Sequence, residues 1–237
     1  DLEYAMVKEG LRKCATLYIA PQNYDTWIER IHRDKLVWLP MVRTRNYTGF
    51  SHYHMPVSKL DMNSSVYGVL ARNIEDAEAF RAASMPGSTD HVKLGELLGF
   101  PKCCSQAFVE WWPTYYDPVF QAAELGDHEV IDDGGGKAIL VENLHVATHQ
   151  MLRYPGFRLT SHFPCSLTCE ASIEVGRQWY ELGMQVDPQG MDALMKILKL
   201  DGKWSVLHGV AVIVTDPFTI TTNSLPTKHR WSVYWKN

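Results

Sequence analysis

The chain has 237 residues, 46% of them hydrophobic and 21% charged, and a net charge of −4 at neutral pH. That suffices for one large core or two modest lobes without a covalent staple, and the slightly acidic balance, with no dense Lys/Arg stretch, offers no electrostatic footprint to a nucleic acid. Apolar runs such as Val210–Val214 are far shorter than the roughly 20 residues a membrane helix needs, and no charged-then-apolar leader opens the sequence, so we expect a cytoplasmic protein without a nucleic-acid or membrane partner.

Residues 2–18 carry apolar side chains near helical spacing, and Cys14 falls on that apolar side, where a lone thiol reads as a small buried hydrophobe. Asn23 to Thr26 resembles a helix start, with Trp27, Ile28 and Ile31 as its apolar face. Leu36 to Leu39 reads as a strand ended by Pro40. A second strand over 65–70 leads into a helix from Asn73, with an Asn cap and early carboxylates. The turn formers of 84–91 suggest a boundary between a lobe over 1–88 and a lobe over 89–237, unless the two form one continuous domain.

Beyond that point the pattern is helical, then β-rich. A short helix over 93–98 is closed by Gly99. Pro101 opens the next, which carries Cys103 and Cys104 and stops at Pro113, and another covers 119–125. The acidic, glycine-rich stretch 126–136 reads as a surface loop. Residues 139–152 suit a helix, 157–161 a short strand, and 164–182 a long helix with Cys165 and Cys169 in its first turn. A helix over 191–200 precedes strands over 204–207, 210–214 and 218–222. The expected class is therefore α/β or α+β: a mixed sheet with helices, and cysteine pairs at two helix N-termini.

Five cysteines is an odd number for a disulfide framework. Cys103 and Cys104 are neighbours that do not readily pair with each other, whereas Cys165 and Cys169 lie a helical turn apart, so a shared metal suits the four better. Unpaired amides and the dipole at a helix start stabilise thiolates. Soft thiolates select iron–sulfur clusters or zinc. The tandem pair favours a [4Fe-4S] cluster, since neighbouring cysteines can hold different irons, while one zinc ion obliges both to bend around a single centre. Zinc in a non-catalytic structural or interaction domain is the alternative, and a thiol-based redox pair a third.

Gly99-Phe-Pro-Lys-Cys-Cys104, followed by Pro164-Cys-Ser-Leu-Thr-Cys-Glu-Ala-Ser172 and by 204–217, resembles an uncharacterised archaeal and bacterial family of unknown function with G-[FY]-P-x-C-C and P-C-x-x-x-C-x-x-S motifs. The resemblance implies that Cys103, Cys104, Cys165 and Cys169 matter, with His162, Ser166 and Glu170 beside them, and implies no reaction. For a cluster enzyme acting on a small-molecule substrate, the expected catalytic groups are His162, Arg158 and Glu170. His162 would be a further ligand or proton donor, and Arg158 a carboxylate clamp. The oligomeric state is open.

Weaker constellations are Glu29 with His32 and Glu142 with His145, which share the spacing of di-iron helices, and His145 with His149 at helical spacing. His52 and His54 form an extended pair, His208 and Asp216 bracket an apolar strand, and 111–116 is an aromatic patch.

Overall fold

A computed structural model of the chain describes residues 2–46, 54–87, 89–114, 118–126, 128–132, 137–141, 143–153, 156–205, 210–214, 218–223 and 231–235. It divides into a unit ending at Lys102 and a unit running from Cys103 onward. The turn-rich 84–91 lies inside the first. Both units combine helices with sheet, and every described strand pairing is antiparallel. No helix among the described residues is long and apolar enough to cross a membrane.

The first unit opens with α1 (Leu2–Lys8) and β1 (Cys14–Ile19). The helical period expected over 2–18 is cut at Gly10, whose φ of 76° is the left-handed turn that ends α1. Gly10 N–H bonds Val7 O at 3.1 Å and Leu11 N–H bonds Met6 O at 2.9 Å, the paired bonds of a glycine-terminated helix. Then come α2 (Tyr24–Arg33), β2 (Val37–Asn46), β3 (His54–Pro56), β4 (Ser65–Ala71), α3 (Ile74–Ala83) and α4 (His91–Leu97). Strand β2 passes through Pro40, where the sequence suggested an end, with its register shifting between Pro40 and Val42.

The sheet order is β1-β4-β2-β3. The crossover through α2 therefore joins β1 and β2 with β4 between them, a split β-α-β arrangement. Strand alternation gives the sheet two apolar faces. Ala15, Leu17, Ile19 and Leu70 pack with Tyr4, Val7 and Ile31 of α1 and α2. Cys14, Val69 and Ala71 pack with Ala77, Phe80 and Leu97 of α3 and α4. Cys14 is thus fully buried, its thiol 3.5 Å from Asp76 O, as expected of a small core residue. Burial and the nearby Asp76 push that thiol up to about 12.

The second unit runs α5 (Lys102–Trp111), α6 (Pro118–Glu124), β5 (Glu129–Asp132), β6 (Lys137–Val141), α7 (Glu170–Val186), α8 (Pro188–Leu198), β7 (Gly202–Ser205), β8 (Val210–Val214), β9 (Phe218–Asn223) and β10 (Trp231–Trp235). Its six strands form a sheet ordered β10-β9-β8-β7-β6-β5, into which α7 and α8 are inserted between β6 and β7. Cross-strand partners place Ile139, Trp204, Ile213 and Ile220 on one face. There they form a core with Val119, Ala122 and Ala123 of α6 and with Met151, Leu152 and Leu167.

Four local expectations are corrected here. Part of the acidic loop is strand β5, paired with β6 from Glu129↔Leu140 to Asp132↔Lys137. The helix expected over 139–152 is instead β6 followed by turns, because Ile139 pairs with Trp204, a partner that no local pattern announces. No strand forms over 157–161, and the long helix begins at Glu170 rather than at Pro164.

Candidate metal centre

Two local devices deliver the first cysteine pair. Gly99, at φ 72°, ends α4 through bonds from Gly99 N–H to Glu96 O at 3.1 Å and from Phe100 N–H to Gly95 O at 2.8 Å. Pro101 then immediately precedes α5, whose first turn carries Cys103, exposed, and Cys104, only 2% exposed.

The second pair arrives on an irregular segment. Among the described residues of 143–169 there is neither helix nor strand, so backbone polar groups are satisfied by buried side chains. Thr148 Oγ1 donates to Leu167 O at 2.6 Å. Thr160 Oγ1 donates to Ala147 O at 2.9 Å, and Gln150 Nε2 to Thr160 O at 3.1 Å. Cys169 is the N-cap residue of α7 in an extended conformation, and Cys165 lies one residue before the turn closed by Cys169 N–H to Ser166 O at 3.2 Å. Thus three of the four thiols sit at helix starts and Cys165 sits on the approach.

The four sulfurs converge, all within 4.8 Å of one another, and no other group of three or more His, Cys, Asp or Glu side chains among the described residues does so. Cys103 Sγ is 3.8 Å from Cys104 Sγ and 3.8 Å from Cys169 Sγ, and Cys104 Sγ is 3.7 Å from Cys169 Sγ. Neighbours in sequence therefore do turn their thiols to one centre. A donor set of four soft sulfurs, convergent and partly sealed from water, can hold a metal ion.

Ser172, three residues into α7, lies beneath the cluster with its hydroxyl 3.2 Å from Cys104 Sγ and 2.8 Å from His162 Nε2. Ser172 and His162 are both buried. The sequence flagged His162 but gave Ser172 no role. The available signal was its place as the last letter of the second motif, one helical turn beyond Cys169 on the buried face of α7.

Thiol acidities follow from this packing. Burial raises Cys104 strongly. Burial, with the neighbouring Cys169 and Cys103, pushes Cys165 up to about 12. Burial also acts to raise Cys169, but hydrogen bonds from the Ser172 hydroxyl and backbone and from the Cys165 and Cys104 thiols bring it down to about 7. Cys169 is thus the thiol of this group whose surroundings favour ionisation, the condition a thiolate ligand needs.

The other expected catalytic residues stand apart from this network. Arg158 and Glu170 are exposed, and neither makes an ion pair among the described residues. His149 is buried, with neither ring nitrogen reaching a well-aligned hydrogen-bond partner, and burial drives it down to about 4. It does not share a helix face with His145, since 143–153 is not helical. His52, His208, Asp216 and Glu142 lie outside the described residues, as does the side chain of His54.

Trp112 of the aromatic patch stacks with rings close in sequence to the cysteines. Phe163 stacks on Phe108 at 5.8 Å, Phe108 on Trp112 at 5.1 Å, and the Arg153 guanidinium lies 4.6 Å over Phe163. Trp111 packs against the core, while Tyr115 and Tyr116 lie outside the described residues. No protein-family model matches the chain, and comparison with curated proteins and with solved structures finds none that is similar.

Proposed function

We propose that Cys103, Cys104, Cys165 and Cys169 bind one zinc ion in a closed four-thiolate site whose role is to fix the irregular segment 143–169 between the starts of α5 and α7. The observation that carries this is the sulfur spacing. With Zn–S bonds of about 2.3 Å, the edge of a tetrahedron is about 3.8 Å. The three separations among Cys103, Cys104 and Cys169 are 3.7 and 3.8 Å, and Cys165 lies within 4.8 Å of each. In a cubane each thiolate holds its own iron, so the sulfurs stand apart by an iron–iron edge as well as by the bonds. Sulfurs gathered within 4.8 Å suit a single ion better than such a core.

The sequence favoured the cluster because adjacent cysteines strain around one ion, and the 3.8 Å between the Cys103 and Cys104 sulfurs supports a shared ion instead. Four protein ligands fill a tetrahedral sphere and leave no position for a substrate, so the reading is structural rather than catalytic. The motif resemblance enters the same proposal, since its two motifs supply all four ligands and end on Ser172.

Metal analysis and X-ray absorption on the purified full chain test it. The expected result is a colourless protein with one zinc per chain and four sulfurs at about 2.3 Å. A brown protein carrying iron and acid-labile sulfide overturns the proposal and returns the site to an iron–sulfur enzyme.

A further inference from the structure

The first unit contains a feature unconnected with the cysteines: a cavity of about 590 Å³ lined by the start of α2, strands β2 and β4 and the loop over 57–64. That volume lies within the range of small-molecule pockets. Its walls are largely apolar, with Tyr24, Pro40, Val42, Met62 and Val66 among them, and three charged side chains, Arg43, Lys59 and Asp25, also line it. Arg43 and Val66 are directly opposed across β2 and β4, so both side chains stand on the same face of the sheet.

The loop wall is held in place. Arg43 Nη1 reaches Asp61 O at 3.4 Å and Ser64 O at 3.5 Å, Arg45 pairs with Asp61 at 2.5 Å, and Val57 N–H bonds Arg43 O at 2.9 Å. Asp61 is thereby engaged with Arg45. Neither Arg43 nor Lys59 has a carboxylate partner among the described residues. A single 3-10 turn over Pro21–Asn23 leads into α2, with Tyr24 N–H bonded to Pro21 O, and Pro21, Tyr24 and Asp25 of this junction line the same cavity. Met62, which lines the cavity, is 67% exposed, so apolar surface of the cavity wall stands in water.

We propose that this cavity is a binding site for a small organic monocarboxylate with an apolar body, its carboxylate held by Arg43 and Lys59 and its hydrocarbon part covered by Tyr24, Met62 and Val66. The charge count sets the ligand class. Two cations against Asp25 leave one positive charge, which a monoanion neutralises and a dianion overshoots. The planar fork of Arg43 matches a carboxylate in two parallel hydrogen bonds, and its Nε and Nη2 have no partner among the described residues.

Calorimetric titration of the metal-loaded full chain with octanoate at millimolar concentrations, beside octanol, tests this. One saturable octanoate site per chain is expected, weakened about tenfold or more by Lys59→Met and by Arg43→Met, with octanol binding much more weakly. Arg43 also touches the loop carbonyls, so Lys59→Met, whose side chain makes no described hydrogen bond, is the deciding variant if Arg43→Met lowers the melting temperature. Absence of saturable octanoate binding, equal binding of octanol, or undiminished binding in Lys59→Met overturns the proposal.

Discussion

The Ser172 hydroxyl stands between Cys104 Sγ at 3.2 Å and His162 Nε2 at 2.8 Å, and it has one proton to give. When the cluster sulfurs are metal-bound thiolates that proton is shared between Cys104 and Cys169, and the same oxygen accepts from His162, which fixes the imidazole with its proton on Nε2. A partner of this kind, one bond removed from the metal, holds a ligand's orientation and charge. Ser172→Ala should therefore weaken zinc binding about ten- to a hundredfold, read by chelator competition, while leaving the circular dichroism of the loaded protein unchanged. Wild-type affinity in that variant would show that the hydroxyl is mere filling. That the four cysteines gather was legible in the sequence, because clustered cysteines have few other uses in a chain with an odd cysteine number. The grip of Ser172 on Cys104 was not, because it joins side chains from two segments whose approach only the fold determines.

Helix α7 presents Ser172, Gly176, Trp179, Leu182 and Gly183 as its buried face. At Gly176 the helix passes so close to the turn carrying Ala147 that an added Cβ would meet Ala147 Cβ and lie 3.2 Å from its Cα. Alanine in a helix is ordinarily favoured over glycine by about 1 kcal/mol. Here the collision should reverse the sign, and Gly176→Ala should destabilise by about 1–3 kcal/mol, measured from urea midpoints. Adding Ala147→Gly should recover most of that loss, the signature of a pairwise contact. Helices with a local stop were legible: α3 begins at the Asn73 cap, whose Oδ1 accepts from Asp76 N–H at 2.8 Å, and α4 ends at Gly99. What misled was the apolar run from Ala138 to Val141, which suits a helix or a buried strand equally and is decided by its partners on β5 and β7. The start of α7 was placed early for a related reason. Pro164 can open a helix, but the chain from Cys165 to Cys169 forms a turn that brings both thiols to the cluster.

Each unit has its own core, built from different elements: the two faces of the four-stranded sheet in the first, and α6, the meander and the turns around Met151, Leu152 and Leu167 in the second. The four cysteines belong to the second unit alone. A metal that binds the folded site and not the unfolded chain stabilises the structure that gathers its ligands. Without a metal the site holds thiols that resist ionisation, since Cys104, buried, and Cys165, partly buried, are raised chiefly by desolvation. The described residues of 143–169 lack a hydrogen-bonded ladder of their own, so the loss should concentrate there and at the first turns of α5 and α7. Hydrogen exchange followed by mass spectrometry, with and without a zinc chelator under reducing conditions, reads this directly. Peptides over 143–153 and 156–176 should exchange faster by at least tenfold after chelation. Peptides over β1 and β4, whose ladder runs from Cys14↔Ala71 to Ile19↔Val66, should change little. Uniform acceleration across both regions would mean that the ion supports the whole chain rather than one segment, and no change in either would remove its structural role.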